Sequence, residues 1–207
     1  MSKLKIAGVV KESITDGDGI RFVLFVQGCP HHCYGCHNPQ THDFNGGTIV
    51  DSGQVLEEFK ANPLLSGITF SGGEPFCQAG ALADLAEEII SLGKNITVYS
   101  GYTFEQLYEM AKEDKDIMRL LNLADVLIDG KFIMSEKTLL LRFRGSKNQR
   151  MIDLKKTMES DGKTVYTFEE RIKFNLEFTY EKIIINYIIY YYLCRECSGS
   201  FCRKFRC

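Results

Sequence analysis

No run of apolar residues in this chain is long enough to cross a bilayer as a helix. The longest, IIINYIIYYYL at 183–193, is well short of the roughly 20 residues that a span needs. The N-terminal MSKLKIAGVVKES has an apolar run of only five residues, shorter than the core of a secretion signal. The expectation is therefore a cytoplasmic protein with no membrane attachment. Net charge is almost absent: 25 basic side chains face 27 acidic ones. A protein that works by covering nucleic-acid phosphates carries a basic excess, so no nucleic-acid partner is expected. No internal repeat is visible. The 207 residues, 44% hydrophobic and 25% charged, suit one soluble domain with a real core and are too few for two comfortable ones.

What the chain has in abundance is cysteine: eight residues. With no export signal, a disulfide framework is not expected. The cysteines fall in two tight groups, Cys29, Cys33 and Cys36, then Cys194, Cys197, Cys202 and Cys207, with Cys77 between them. Clustering of that kind points to metal or redox chemistry in a reducing compartment.

Hydrophobic patterning predicts strands at 4–10, 20–26, 67–70, 95–100 and 124–130, with a further one at 138–143. Helices are predicted at 51–61, 81–93 and 103–121, the first capped by Asp51 or Ser52 and the second stopped by Gly93. The segment from Gln27 to about Gly47 reads as an irregular loop. Strands alternating with helices indicate an α/β fold with a mainly parallel sheet, its strands covered on both faces. In such sheets chemistry gathers at the C-terminal strand ends. The cysteine loop, SGGEP at 71–75, SGY at 100–102 and DGK at 129–131 all follow predicted strands, so they are expected on one edge. From about Glu169 the composition changes. Residues 175–207 read as a Cys-rich extension of a domain spanning 1–174.

Cys29-Pro-His-His-Cys33-Tyr-Gly-Cys36 has the spacing C-x3-C-x2-C. Three thiolates this close can take three irons of a cubane and leave the fourth without a protein ligand, the open position that a catalytic centre needs. The same residues with His31 and His32 leave a structural zinc site as an alternative. In SGGEP two glycines permit close backbone approach to a ligand, and Glu74 can accept a hydrogen bond from an ammonium. Asp129 and Lys131 place an acid and a base at a strand end. Arg142 to Arg150 (RFRGSKNQR) is basic and polar, fit to meet a carboxylate or an acidic surface.

Together these strings resemble the radical S-adenosylmethionine (SAM) superfamily, and QGCPHHCYGCHNPQTHDFNGG at 27–47 is their most specific part. Residues 5–155 are similar to the activases of glycyl-radical enzymes, in particular those of anaerobic ribonucleoside-triphosphate reductase. Asp16-Gly-Asp-Gly-Ile-Arg21 resembles their DGPGIR element, with Asp18 in place of proline. The resemblance implies an incomplete β/α barrel and a [4Fe–4S] cluster on Cys29, Cys33 and Cys36. It implies SAM contacts from Gly35, Cys36, His37, Gly72, Gly73, Glu74, Ser100, Asp129, Lys131 and Arg144. No catalytic side chain is expected besides these. Many members carry an aromatic residue just before the third cysteine. Here Gly35 stands there and Tyr34 precedes it, which leaves the backbone of Gly35 to His37 as the expected contact. The implied activity is removal of a glycine Cα hydrogen from the reductase, with a flavodoxin- or ferredoxin-type electron donor. The docked partner would also act as a lid, since a chain this short has little material for its own.

Other readings remain open at this level. The target could be another glycyl-radical enzyme of the pyruvate formate-lyase type, or a small molecule, as for a carboxy-deazaguanine synthase. A non-catalytic iron–sulfur or zinc module is a third possibility. Cys77 reads as an incidental thiol. The spacing Cys194-x2-Cys197-x4-Cys202-x4-Cys207 suits a zinc knuckle, a second cluster or an unrelated extension.

Overall fold

The β-branched and aromatic runs of the sequence become strands. A computed structural model describes residues 2–168; the expected domain boundary at 174/175 and the four tail cysteines lie outside the described residues. Seven strands form one open sheet: β1 (Lys3–Ser13), β2 (Arg21–Val26), β3 (Thr48–Asp51), β4 (Gly67–Gly72), β5 (Asn95–Tyr99), β6 (Val126–Asp129) and β7 (Arg150–Asp153). Their order is β3-β1-β2-β4-β5-β6-β7. The architecture is mixed α/β. β2, β4, β5 and β6 run parallel, while β1, β3 and β7 pair antiparallel at the two sides. The parallel part is thus the middle of the sheet, narrower than the sequence suggests. β3 and β7 escape a hydrophobic scan because each is only four residues long. Among the described residues no helix is long and apolar enough to cross a membrane.

Among the described residues five α-helices accompany the sheet: α1 (Ser52–Lys60), α2 (Ala79–Ser91), α3 (Phe104–Met110), α4 (Lys115–Leu123) and α5 (Leu154–Glu159). Asp51 caps α1 by accepting from Gly53 N at 2.9 Å. The single helix expected over 103–121 is two helices. Asp114 accepts from Asp116 N at 2.9 Å and Ile117 N at 3.4 Å, so the polar KEDKD stretch ends one helix and caps the next. Residues 138–143 form no strand; Leu139 and Leu140 are 90% and 94% exposed.

The parallel strands have two chemically different faces. Phe22, Leu24 and Val26 alternate inward on β2, in register with Ile68 and Phe70 on β4 and with Ile96 and Val98 on β5. These join the buried side chains of α1 to α5 in one core. The opposite face carries Val23 and Phe25, then Thr69 and Ser71, then Thr97 and Tyr99, and is not a second apolar layer.

Arg21 begins β2 and is fully buried. Its guanidinium donates to Thr69 Oγ1 at 3.1 Å, Thr97 Oγ1 at 3.3 Å and the Asn95 carbonyl at 3.3 Å, and also to Ile68 O and Asn95 Oδ1. Burial lowers its pKa to about 10, partly offset by Asp125 and Asp18. It stitches three strands across the polar face. Arg21→Ala strands several of these acceptors without a donor and is expected to cost about 3 kcal/mol in urea unfolding.

At the other side of the sheet Arg150 of β7 donates to Asp129 Oδ1 at 3.1 Å and pairs with Oδ2. It also holds Glu105 of α3 in a fork at 2.9 and 2.8 Å. Hydrogen bonding to Arg150 pulls the Glu105 pKa from 4.5 down to about 2. A depressed folded pKa stabilises above the unfolded value and is lost as pH falls through the folded one. Glu105 is half exposed, so solvent screening limits the effect to about 1 kcal/mol or less. Glu105→Gln is expected to lower stability by that amount at pH 7, with the difference from the parent closing between pH 4.5 and about 2 in urea titrations.

Candidate functional site

The four parallel strands end on the same edge, and each feeds a loop to one cavity of about 690 Å³. β2 gives way to the cysteine loop, β4 to Gly73 and Glu74, β5 to Ser100 and Gly101, and β6 to Gly130. Cys29, Cys33, Cys36 and His37 line this cavity, as do Gly72, Gly73, Ser100 and Arg144. Four other expected site residues are not on its wall. Gly35 backs onto Met134 and Phe132. Glu74 lies behind the wall. Asp129 is buried, accepting from Arg150 and from Phe104 N at 2.8 Å. Lys131 is exposed. Cys77 is exposed and off the wall, and Tyr34 is 84% exposed.

The cysteine loop folds back on itself. Gly28 N donates to Thr41 O at 2.8 Å and Cys29 N to His42 O at 3.1 Å. The buried side chain of Gln27 reaches the carbonyls of Gln40 at 3.2 Å and Asp43 at 2.7 Å. Main-chain donors already point at sulfur. Asn38 N lies 3.4 Å from Cys36 Sγ. Burial pushes the Cys29 thiol pKa up, opposed by the N–H groups of His31 and His32 on its sulfur. Among the described residues, no three His, Cys, Asp or Glu side chains converge on the position of a single metal ion. A cubane does not require that, because each thiolate takes its own iron.

Glu74 joins the loops. Its carboxylate is fully buried. Oε1 accepts from Phe76 N at 3.1 Å and Ser100 Oγ at 2.9 Å. Oε2 accepts from Gly101 N at 2.9 Å and meets His31 Nε2 at 2.7 Å. Four partners fill the capacity of a carboxylate. The side chain is therefore committed to partners within the protein. His31 is pressed between Glu74, Gly101 and the Tyr102 ring, which it meets in a T-shaped contact with centroids 4.4 Å apart. A Cβ on Gly101 would lie 2.2 Å from the imidazole, so glycine is needed there. Gly73 likewise packs on the cysteine loop, where a Cβ would meet Gly28 O at 2.3 Å.

Several cavity residues escaped the sequence reading: Phe25, Tyr99, Phe132, Phe143 and His42. Phe25 and Tyr99 alternate with core residues, and that period is the signal that would have found them. Tyr99 Oη donates to Phe143 O at 2.7 Å, and burial raises its pKa. Of the two histidines that the spacing offers as zinc ligands, His31 is bound to Glu74 at 2.7 Å.

Glu74→Gln turns an NH2 toward donors. It is expected to cost about 2 kcal/mol, read as a lower urea midpoint with an unchanged slope.

Residues 15–152 match the family model described as a 4Fe-4S single cluster domain. The anaerobic ribonucleoside-triphosphate reductase-activating protein of Haemophilus influenzae is 34% identical over 66% of this chain and 89% of its own length. That of Enterobacteria phage T4 is 33% identical over 66% of this chain and 85% of its own. Among solved structures, QueE from Escherichia coli covers 49% of this chain and 54% of its own at 17% identity and a TM-score of 0.39, too slight a likeness to bear on the fold. The extent of these matches, across the strands and loops that build the cavity, shows that the chain belongs to the 4Fe-4S single cluster domain family and, within it, to the anaerobic ribonucleoside-triphosphate reductase-activating proteins.

Proposed function

We propose that this chain is a radical SAM activase that removes a Cα hydrogen from a glycine of anaerobic ribonucleoside-triphosphate reductase. The observation that carries the reading is the shared wall: three thiols, a two-glycine strand end and Arg144 face one cavity. Cys29, Cys33 and Cys36 are the residues that would hold a [4Fe–4S] cluster. The donor set fits it, with soft sulfur ligands and main-chain N–H groups directed at the sulfurs of Cys29 and Cys36. When bound and reduced, the cluster supplies the electron that splits SAM into methionine and a 5′-deoxyadenosyl radical.

The chain's own part is binding, orientation and exclusion of water. Gly72 and Gly73 offer backbone to the amino group of SAM, and Arg144 offers a guanidinium to its carboxylate. Ser100, Gly130 and the backbone of Gly35 to His37 border the space for the nucleoside. Asp129 and Lys131 shape this region through the turn at Gly130. Phe25, Phe132 and Phe143 give the cavity an apolar wall, and the Tyr99 hydroxyl among them is tied to Phe143 O. The open sheet, with helices on one face and the cavity on the other, is read as the incomplete barrel of this superfamily. Ile14 and Leu139 line the cavity while 77% and 90% exposed. The reductase, docked at that mouth, completes the enclosure. The hydrogen taken from its glycine ends on the 5′ carbon as 5′-deoxyadenosine. Residues 1–174 form the radical SAM domain, and 175–207 are an extension. The reaction takes place in the cytoplasm with electrons from a flavodoxin- or ferredoxin-type donor.

The test is anaerobic. The protein is reconstituted with iron and sulfide, reduced, and given SAM with the same organism's reductase. The expected outcome is a glycyl-radical signal in electron paramagnetic resonance with matching 5′-deoxyadenosine, both abolished in Cys33→Ala. SAM cleavage without a radical on the reductase would move the substrate elsewhere. Failure of any SAM-responsive cluster to form would end the reading.

A further inference from the structure

One histidine on the cavity wall has no role in the arrangement above. Among the described residues, His42 Nε2 is the one buried side-chain nitrogen or oxygen without a hydrogen-bond partner. Leaving such an atom unpaired is destabilising, because its desolvation is not repaid. On the wall of a binding cavity, the chemical explanation is a partner that arrives with the ligand. His42 lines the same cavity as Cys29, Cys33 and Cys36.

Main-chain bonds place His42 beside the first cysteine. Cys29 N donates to His42 O at 3.1 Å and Gly28 N to Thr41 O at 2.8 Å, so residues 28–29 and 41–42 are laced side by side. Thr41 is itself buried, its hydroxyl donating to Asn38 O at 2.7 Å. The ring of His32 packs against that of His42 nearly at a right angle, with centroids 5.2 Å apart. The imidazole is therefore held beside the first cysteine by main chain before and by a ring across. A cubane and its thiolates present only sulfur acceptors and a net negative charge, which calls for a donor.

We infer that His42 donates a hydrogen bond from Nε2–H to sulfur of the cluster held by Cys29, Cys33 and Cys36. This rests on the cluster assignment proposed above. Hydrogen bonds to sulfur favour the more negative, reduced state and raise the reduction potential. His42 is then a positioning and tuning residue, making the cluster easier to reduce by a modest physiological donor.

The experiment is a redox titration of the anaerobically reconstituted full chain. His42→Phe keeps a ring of similar size and removes the N–H. It is expected to shift the reduction equilibrium about tenfold toward the oxidised cluster, which for one electron is a midpoint roughly 59 mV more negative. His42→Gln, which restores an N–H, is expected to recover part of the shift. A merely structural role would lower cluster occupancy in both variants without this ordering of potentials. Independently, the wild-type reduced cluster, made with 15N-histidine, is expected to show an imidazole nitrogen coupling in electron–nuclear double resonance that is absent from whichever variant loads. Absence of that coupling in the wild type overturns the inference even if neither variant takes up iron. So does a fully loaded His42→Phe with an unchanged potential. A wild-type chain that binds no cluster at all sinks the proposed function itself, which distinguishes the two failures.

Discussion

The Glu74 carboxylate is the constraint on which the site depends. A fully buried carboxylate survives only when its lone pairs are met by donors, and here the donors come from three different places. His31 belongs to the loop after β2, Ser100 and Gly101 to the end of β5, and Phe76 to the turn before α2. Parallel strands have no hairpins between them, so their C-terminal loops are tied by tertiary bonds, here main-chain ones such as Glu74 N to Gly28 O at 2.8 Å together with the Glu74 side chain. Glu74 does this from the middle strand, β4, which lies between the other two. The chain thereby fixes where the cysteine loop sits relative to the glycines of β4 before any ligand is present. The arrangement also explains why the glycines at 73 and 101 cannot carry a side chain: the loops being tied pass within contact distance of them.

The two faces of the sheet divide the work. Alternation on β2, β4 and β5 sends large apolar side chains to the helices and sends Thr69, Ser71, Thr97 and Tyr99 to the other side. The helix side carries the hydrophobic stabilisation, at about 25 cal/mol per Å² of apolar surface removed from water. The other side is polar, with Arg21 donating to the Thr69 and Thr97 hydroxyls and Phe143 O accepting from Tyr99. A polar floor under a cavity with aromatic walls can hold a charged ligand near its edge without giving up the core.

Much of this was legible in the sequence, for identifiable reasons. The strands that end in the cysteine loop, SGGEP, SGY and DGK are bounded by glycine and have strong β-branched patterning, so their shared edge follows from the alternation of strands and helices. The C-x3-C-x2-C spacing is local and needs no tertiary knowledge. What was not legible depended on who pairs with whom. The Glu74 side chain looks like a ligand in isolation, and only the positions of His31, Ser100 and Gly101 show it to be occupied. Asp129 likewise reads as a ligand until Arg150, 21 residues later, is brought back beside it by an antiparallel strand. The apolar string at 138–143 has the composition of a strand but finds no neighbour to pair with, so its leucines remain exposed.

That string and the loop at 13–20 show how a sequence motif can serve a site without touching a ligand. Both cross the polar face of the sheet, where helices would otherwise lie. Thr69 Oγ1 holds the loop by donating to Asp16 O at 2.8 Å. Tyr99 holds the string through Phe143 O, and Gln149 braces its far end, accepting from Gly145 N at 2.9 Å and donating to Gly130 O at 3.1 Å. Asp18 and Arg142 then meet across the gap. The pair is exposed and contributes little to stability. Its position is informative all the same, because Asp18 stands at the proline position of the DGPGIR element that residues 16–21 resemble. Proline would stiffen that turn through its own backbone, whereas aspartate ties it to the opposite wall. The same wall is thus held by a different physical means, which argues that the motif's task at this position is to frame the cavity.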